Sequence, residues 1–125
     1  MGLSRRPVTM PDRSHTKYVG RGPARHERPA IDDAALVAAR HADRLVAAAR
    51  ERGLERWSTF LGPIPDRLRD EELPRLRQVA QRARAAYGAN DSVRDALPAD
   101  LTEPFLESLD RLLRELARRE ASGRD

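Results

Sequence analysis

Three histidines, His15, His26 and His41, are the side chains best suited to hold a metal or pass a proton near neutral pH. No two of them have the four-residue spacing that puts two imidazoles on one helix face, nor the tight loop spacing of metal sites. No metal site is expected, and His41 reads as a hydrogen-bonded residue at the border of a helix's apolar face. The serines (Ser4, Ser14, Ser58, Ser92, Ser108, Ser122) lack a nucleophile-elbow sequence. Carboxylates cluster at Asp32-Asp33 and at Asp70-Glu71-Glu72. Each cluster opens a helical pattern, where compensation of the helix dipole accounts for it. With no cysteine there is no thiolate ligand, no cysteine nucleophile and no disulfide. These residues predict no catalytic site and no cofactor.

Cations are the other chemically active group. Arg5, Arg6, Arg13, Lys17, Arg21, Arg25 and Arg28 fall within the first thirty residues, opposed there by Asp12 and Glu27 only. The chain's net charge of +4 therefore resides in this segment, and the rest is close to neutral. The seven cations are candidates for contact with nucleic acid or with an acidic protein surface. If all seven met duplex phosphates, the logarithm of affinity would fall with the logarithm of salt at a slope of about −6. Gly20-Arg21-Gly22 has neither the strand nor the helix that a phosphate loop needs; it is one copy of the arginine–glycine pattern of RNA-binding tails.

A partial helix-turn-helix pattern spans Val79 to Ala83, Gly88 and Asp91 to Leu97. The glycine comes four residues late for such a turn. Asp91 and Asp95 would repel phosphates, and Pro98 cuts the second helix short.

Trp57, Phe60 and Leu61 form the most aromatic stretch of the chain. They read either as a plug between helices or as anchors for a partner, since Trp is favoured at interface hot spots.

The elements that would position these groups are helical. Ile31, Ala34, Ala35, Ala38, Ala42, Leu45, Val46 and Ala49 recur at three and four residues on one face, and Gly53 suits a left-handed stop. Leu54 to Leu61 predicts a short helix ended by Gly62, Pro63 and Pro65, and 66–72 a further turn or two. Pro74 opens another helix with Leu76, Val79, Ala80, Ala83, Ala86 and Tyr87 on one arc, ended by Gly88. Asp91 is expected to cap a short helix reaching Leu97. Thr102 is expected to cap the last helix, with Pro104 in its first turn and Phe105, Leu106, Leu109, Leu112, Leu113 and Leu116 on its apolar face. On that helix Glu107–Arg111 and Asp110–Arg114 stand at the spacing of intrahelical ion pairs. No stretch alternates as a strand does.

The expected fold is all-α: a small antiparallel bundle of three main helices with short connecting helices over 31–121. The arginine- and proline-rich segment 1–30 is expected to be a disordered basic tail, and 122–125 a frayed end. Hydrophobic residues are 39% and charged residues 35%, a polar balance for a globular chain. No apolar run is long enough to cross a membrane, and no apolar signal region follows Arg5-Arg6, so a cytoplasmic setting is expected. One lysine against many arginines, with abundant alanine, fits a GC-rich bacterial genome. The pattern as a whole predicts a non-catalytic helical interaction module, an adaptor or regulatory subunit with a protein partner, for which a homodimer is one form. The alternative is a nucleic-acid-binding regulator that uses the basic tail.

Overall fold

The alanine-rich face that begins near Ile31 is the inner side of helix α1 (Pro29–Glu51) in the computed structural model, which describes residues 25–88 and 91–123. Pro29 in its first turn removes an N–H that no helical carbonyl would accept, and Asp32 and Arg50 complement the two ends of the dipole. Ala34, Ala35, Ala38, Ala39 and Ala42 are fully buried, so neighbouring helices approach closely. Gly53 stops the helix with φ +68°. The Leu54 N–H then reaches back to the Ala49 carbonyl (2.9 Å) and the Gly53 N–H to the Arg50 carbonyl (3.1 Å). A side chain at Gly53 would strain this left-handed turn.

Two short helices follow, α2 (Glu55–Leu61) and α3 (Ile64–Asp70). Helix α4 (Leu73–Arg84) continues as a 3-10 turn through Tyr87; α5 (Val93–Ala96) is a single turn; α6 (Ala99–Gly123) closes the chain. A 3-10 turn, Arg25–Glu27, precedes α1. Among the described residues there is no strand, and no helix is long and apolar enough to cross a membrane.

Ion pairs fix the helix directions. Along α4 and α6, Arg77 meets Glu120 and Arg84 meets Asp110, so the two run antiparallel. Asp33 of α1 meets Arg111, and His41, further along α1, feels the charge of Glu107, so α1 and α6 are antiparallel too. Helices α1 and α4 each pack against α6 and against α3. Arg69 of α3 binds Asp43 of α1. The bundle is thus built on three long helices, with α3 filling the fourth corner. Phe105, Leu45, Leu61, Ile64, Leu68, Leu76, Leu109 and Leu112 are fully buried at its centre. Burial of each large side chain stabilises the fold by roughly 1.5–3 kcal/mol.

The structure departs from the sequence expectations at several helix ends. Ser92, not Asp91, caps α5: its Oγ accepts from the Arg94 N–H at 3.1 Å, while Asp91 takes a left-handed backbone at φ 54°. Helix α6 starts a turn early, because the Pro98 carbonyl accepts from the Leu101 and Thr102 N–H groups at 3.0 Å each. Thr102 is consequently a buried residue inside the helix rather than its cap. Pro104 also lies inside, where its missing N–H removes the helical partner of the Asp100 carbonyl. Of the residues expected to pair along α6, Arg111 turns to Asp33 of α1 and Asp110 to Arg84 of α4.

The segment expected as tail also ends sooner than residue 30. Pro29 and Ala30 belong to α1, and Arg25 to Glu27 form an ordered turn. The disorder expected of 1–24 and the fraying expected at 124–125 lie outside the described residues. At the other end, α6 continues to Gly123.

Candidate functional site

The left-handed turn at Gly53 brings α2 into contact with α1. Leu61 points inward and is fully buried, so it is the plug between helices. Trp57 and Phe60, one turn apart, are half-buried against the core. Their rings meet edge to face, with centroids 6.0 Å apart and planes at 88°. Such a pair contributes roughly 0.5–1.5 kcal/mol beyond its burial.

Two guanidinium groups cover the aromatic edge. Arg56 lies 5.0 Å from the centre of the Trp57 ring, and Arg82, from the last turn of α4, lies 5.2 Å from that of Phe60. Cations over exposed rings contribute about 0.5–1 kcal/mol each. Arg56 also meets Asp91 at 3.0 Å, which brings the start of α5 to the same edge. Arg82 has no ion pair among the described residues. Three segments, α2, the end of α4 and the turn before α5, therefore build one surface of two rings and two cations. Of the three anchors proposed from sequence, Trp57 and Phe60 share this surface and Leu61 does not. The pairing of Arg82 with Phe60 was not legible, since it joins residues of different helices.

The basic cluster divides. Arg25 is not a free cation: it is 5% exposed. Its Nε donates to Asp32 Oδ1 at 2.8 Å and its Nη1 to the Glu71 carbonyl at 3.0 Å. Its backbone N–H faces Glu72 Oε1 at 3.4 Å. The burial corrects its assignment to a phosphate or acidic-surface contact, because its donors are directed into the fold. Arg28 is exposed. Arg5, Arg6, Arg13, Lys17 and Arg21 lie outside the described residues.

Two shallow grooves mark the same end of the bundle. One, of about 270 Å³, runs between residues 27–31 and Glu115, Arg118 and Arg119. The other, of about 290 Å³, lies between the start of α4 and the end of α6 and is lined by Leu73, Pro74, Arg77, Leu116, Arg119 and Glu120. Arg119 borders both.

The remaining candidates serve local structure. Ser58 Oγ donates to the Glu55 carbonyl and Ser108 Oγ to the Phe105 carbonyl. Asp32 holds Arg25, and Glu71 sits beside Arg67. His41 is partly buried, and that desolvation, with the nearby Arg44 and Arg40, depresses its pKa, while Glu107 opposes the shift. Among the described residues no three His, Asp or Glu side chains gather as a metal site would need. In the region with helix-turn-helix spacing, Val79 to Ala83 lie in α4, and the would-be second helix is the single turn of α5, too short to lie along a major groove. Its Arg94 grips Glu103 through two bonds of 2.9 Å and lies 5.5 Å from the Tyr87 ring centre. Comparison with protein-family models, curated proteins and solved structures finds no match to this chain.

Proposed function

We propose that this chain is a non-catalytic helical interaction module, an adaptor or regulatory subunit, that meets a protein partner through the edge formed by Trp57 and Phe60. The observation that carries this reading is the half-buried ring pair with Arg56 and Arg82 stacked upon it. Trp and Arg dominate interface hot spots because they offer large contact area and planar donors. Here both kinds of group are held in place before any partner arrives, which lowers the ordering cost of binding. The reading takes a bacterial cytoplasm as its setting, from the absence of cysteine and the predominance of arginine.

The test compares the full chain, Trp57→Ala, Arg82→Ala and the distant control Arg114→Ala as baits in extract of the source cells. The expected result is a protein held by wild type and control and released by both edge variants, with circular dichroism showing all four folded. A second copy of the chain is one such partner, recognised by sedimentation equilibrium. Equal retention by all four baits would overturn the assignment of the edge.

One observation favours a second reading, nucleic-acid binding by the basic N-terminal segment. Arg28, Arg118 and Arg119 line the groove beside the point where that segment joins α1. With Arg25 buried, six cations remain of the seven, and the expected salt slope on duplex DNA becomes about −5. Loss of salt-sensitive DNA binding on deletion of residues 1–24 supports this reading. Affinity unchanged between 50 and 300 mM salt speaks for the protein interface instead.

A further inference from the structure

Four guanidinium groups lie over aromatic rings among the described residues. Arg56 covers Trp57 at 5.0 Å, Arg82 covers Phe60 at 5.2 Å, and Arg84 and Arg94 approach Tyr87 at 6.0 and 5.5 Å. Three of the four also hold a carboxylate. Arg56 meets Asp91 at 3.0 Å, Arg84 meets Asp110 at 2.9 Å, and Arg94 meets Glu103 at 2.9 Å. Arg82 is exposed and has the ring without the carboxylate. Its guanidinium enters no hydrogen bond or ion pair among the described residues.

A guanidinium stacked on a ring keeps its N–H groups in the plane of the fork, free to take two oxygens side by side. The ring holds that plane in advance, so less ordering is lost when a carboxylate arrives. At Arg56 the set of ring, cation and carboxylate is complete within the chain. At Arg82, on the same edge, it stands open. We propose that the partner of the Trp57–Phe60 edge is a protein segment that places an Asp or Glu carboxylate against Arg82 and a neighbouring apolar side chain against the two rings. This names the chemistry of the partner and rests on the reading of that edge as an interface. One open cation beside two rings matches one carboxylate set among apolar groups, whereas a nucleic acid brings a phosphate with every nucleotide.

Two acetylated and amidated peptides, Leu-Glu-Leu and Leu-Gln-Leu, are the probes, titrated at mildly acidic pH where the glutamate stays ionised. Trp57 is the only tryptophan, so its indole N–H signal in the ¹⁵N-labelled full chain identifies itself. The Nε–H signal of Arg82 is the one missing from Arg82→Lys. The expected result is a saturable shift of both signals, about fivefold tighter for the Glu peptide than for the Gln peptide, the gain of a well-formed exposed ion pair. Arg82→Gln is expected to remove that difference, and Arg114 to show no matching shift. Equal saturation by the two peptides, lost in Trp57→Ala, would overturn the carboxylate while leaving the edge as an interface for an uncharged segment. A preference for the Glu peptide that survives Arg82→Gln overturns it as well. Absence of any saturable shift at Trp57 and Arg82 also overturns the inference, and the comparison of baits then decides on the edge by itself.

Discussion

Arg25 Nε donates to Asp32 Oδ1 across 2.8 Å, which fastens the end of the basic N-terminal segment to the first turn of α1. The same guanidinium reaches the Glu71 carbonyl ahead of α4, so one side chain ties the starts of two helices together. A residue that reads as a free tail cation is in fact part of the bundle.

Replacing that side chain tests the clasp. Arg25→Ala removes two charge-assisted hydrogen bonds from a buried position and is expected to cost about 2 kcal/mol in urea unfolding. Arg25→Lys recovers less than half of this, because an ammonium lacks the fork that serves Asp32 and Glu71 together. An alanine variant as stable as wild type would show that the clasp contributes nothing.

The alanine face of α1 makes a paired prediction. Ala38 is fully buried, whereas Ala47, on the same helix, is exposed. Leucine at position 38 overfills a close helix contact and is expected to destabilise by about 1–3 kcal/mol. Leucine at position 47 touches no helix and stays within about 0.5 kcal/mol of wild type. Thermal melts of Ala38→Leu and Ala47→Leu, made side by side, check the contrast.

The Tyr87 hydroxyl donates to the Thr102 carbonyl at 2.5 Å and joins the end of α4 to the start of α6. Tyr87→Phe leaves that carbonyl without its donor and is expected to cost about 1 kcal/mol. Burial, the main cause, pushes the phenol pKa well above its ordinary value of about 10. The folded state therefore keeps this proton when the unfolded chain loses it. The resulting stability is present below about pH 10 and declines as pH rises further. Urea midpoints between pH 9 and 11 should show a loss that is smaller in Tyr87→Phe.

His41 gives the opposite dependence. Its pKa is depressed by desolvation first, then by Arg44 and Arg40. Below the ordinary histidine value of about 6.5 the unfolded chain takes up a proton that the folded chain resists. This contribution to stability is present above that value and is lost as pH falls through the depressed folded pKa. His41→Gln is expected to flatten the decline in urea midpoint between pH 7 and 5. An unchanged slope would remove His41 from the pH response.

The contrast between Leu112 and Arg82 shows how much the sequence contained. Leu109, Leu112 and Leu116 recur on one face of α6, and that face is buried. The period of a helix is a property of neighbouring residues, so the spacing itself identifies the inner side. Gly53 is similar, because only glycine takes a left-handed stop without cost. Arg82 on α4 is no different in spacing from Arg75, yet only Arg82 lies over Phe60.

The all-α class, the alanine and leucine faces, the stop at Gly53 and the aromatic content of α2 were determined by the sequence itself, because each follows from backbone stereochemistry and local period. Tertiary structure alone decided that Arg25 is buried, that Thr102 lies inside α6, that Arg111 turns to Asp33, and that Arg77 and Arg119 share a groove. The physical reason is that a long charged side chain takes whichever partner the packing brings within a few ångströms. Which helices adjoin, and at what height, depends on the fit of whole faces, which no spacing along the chain records.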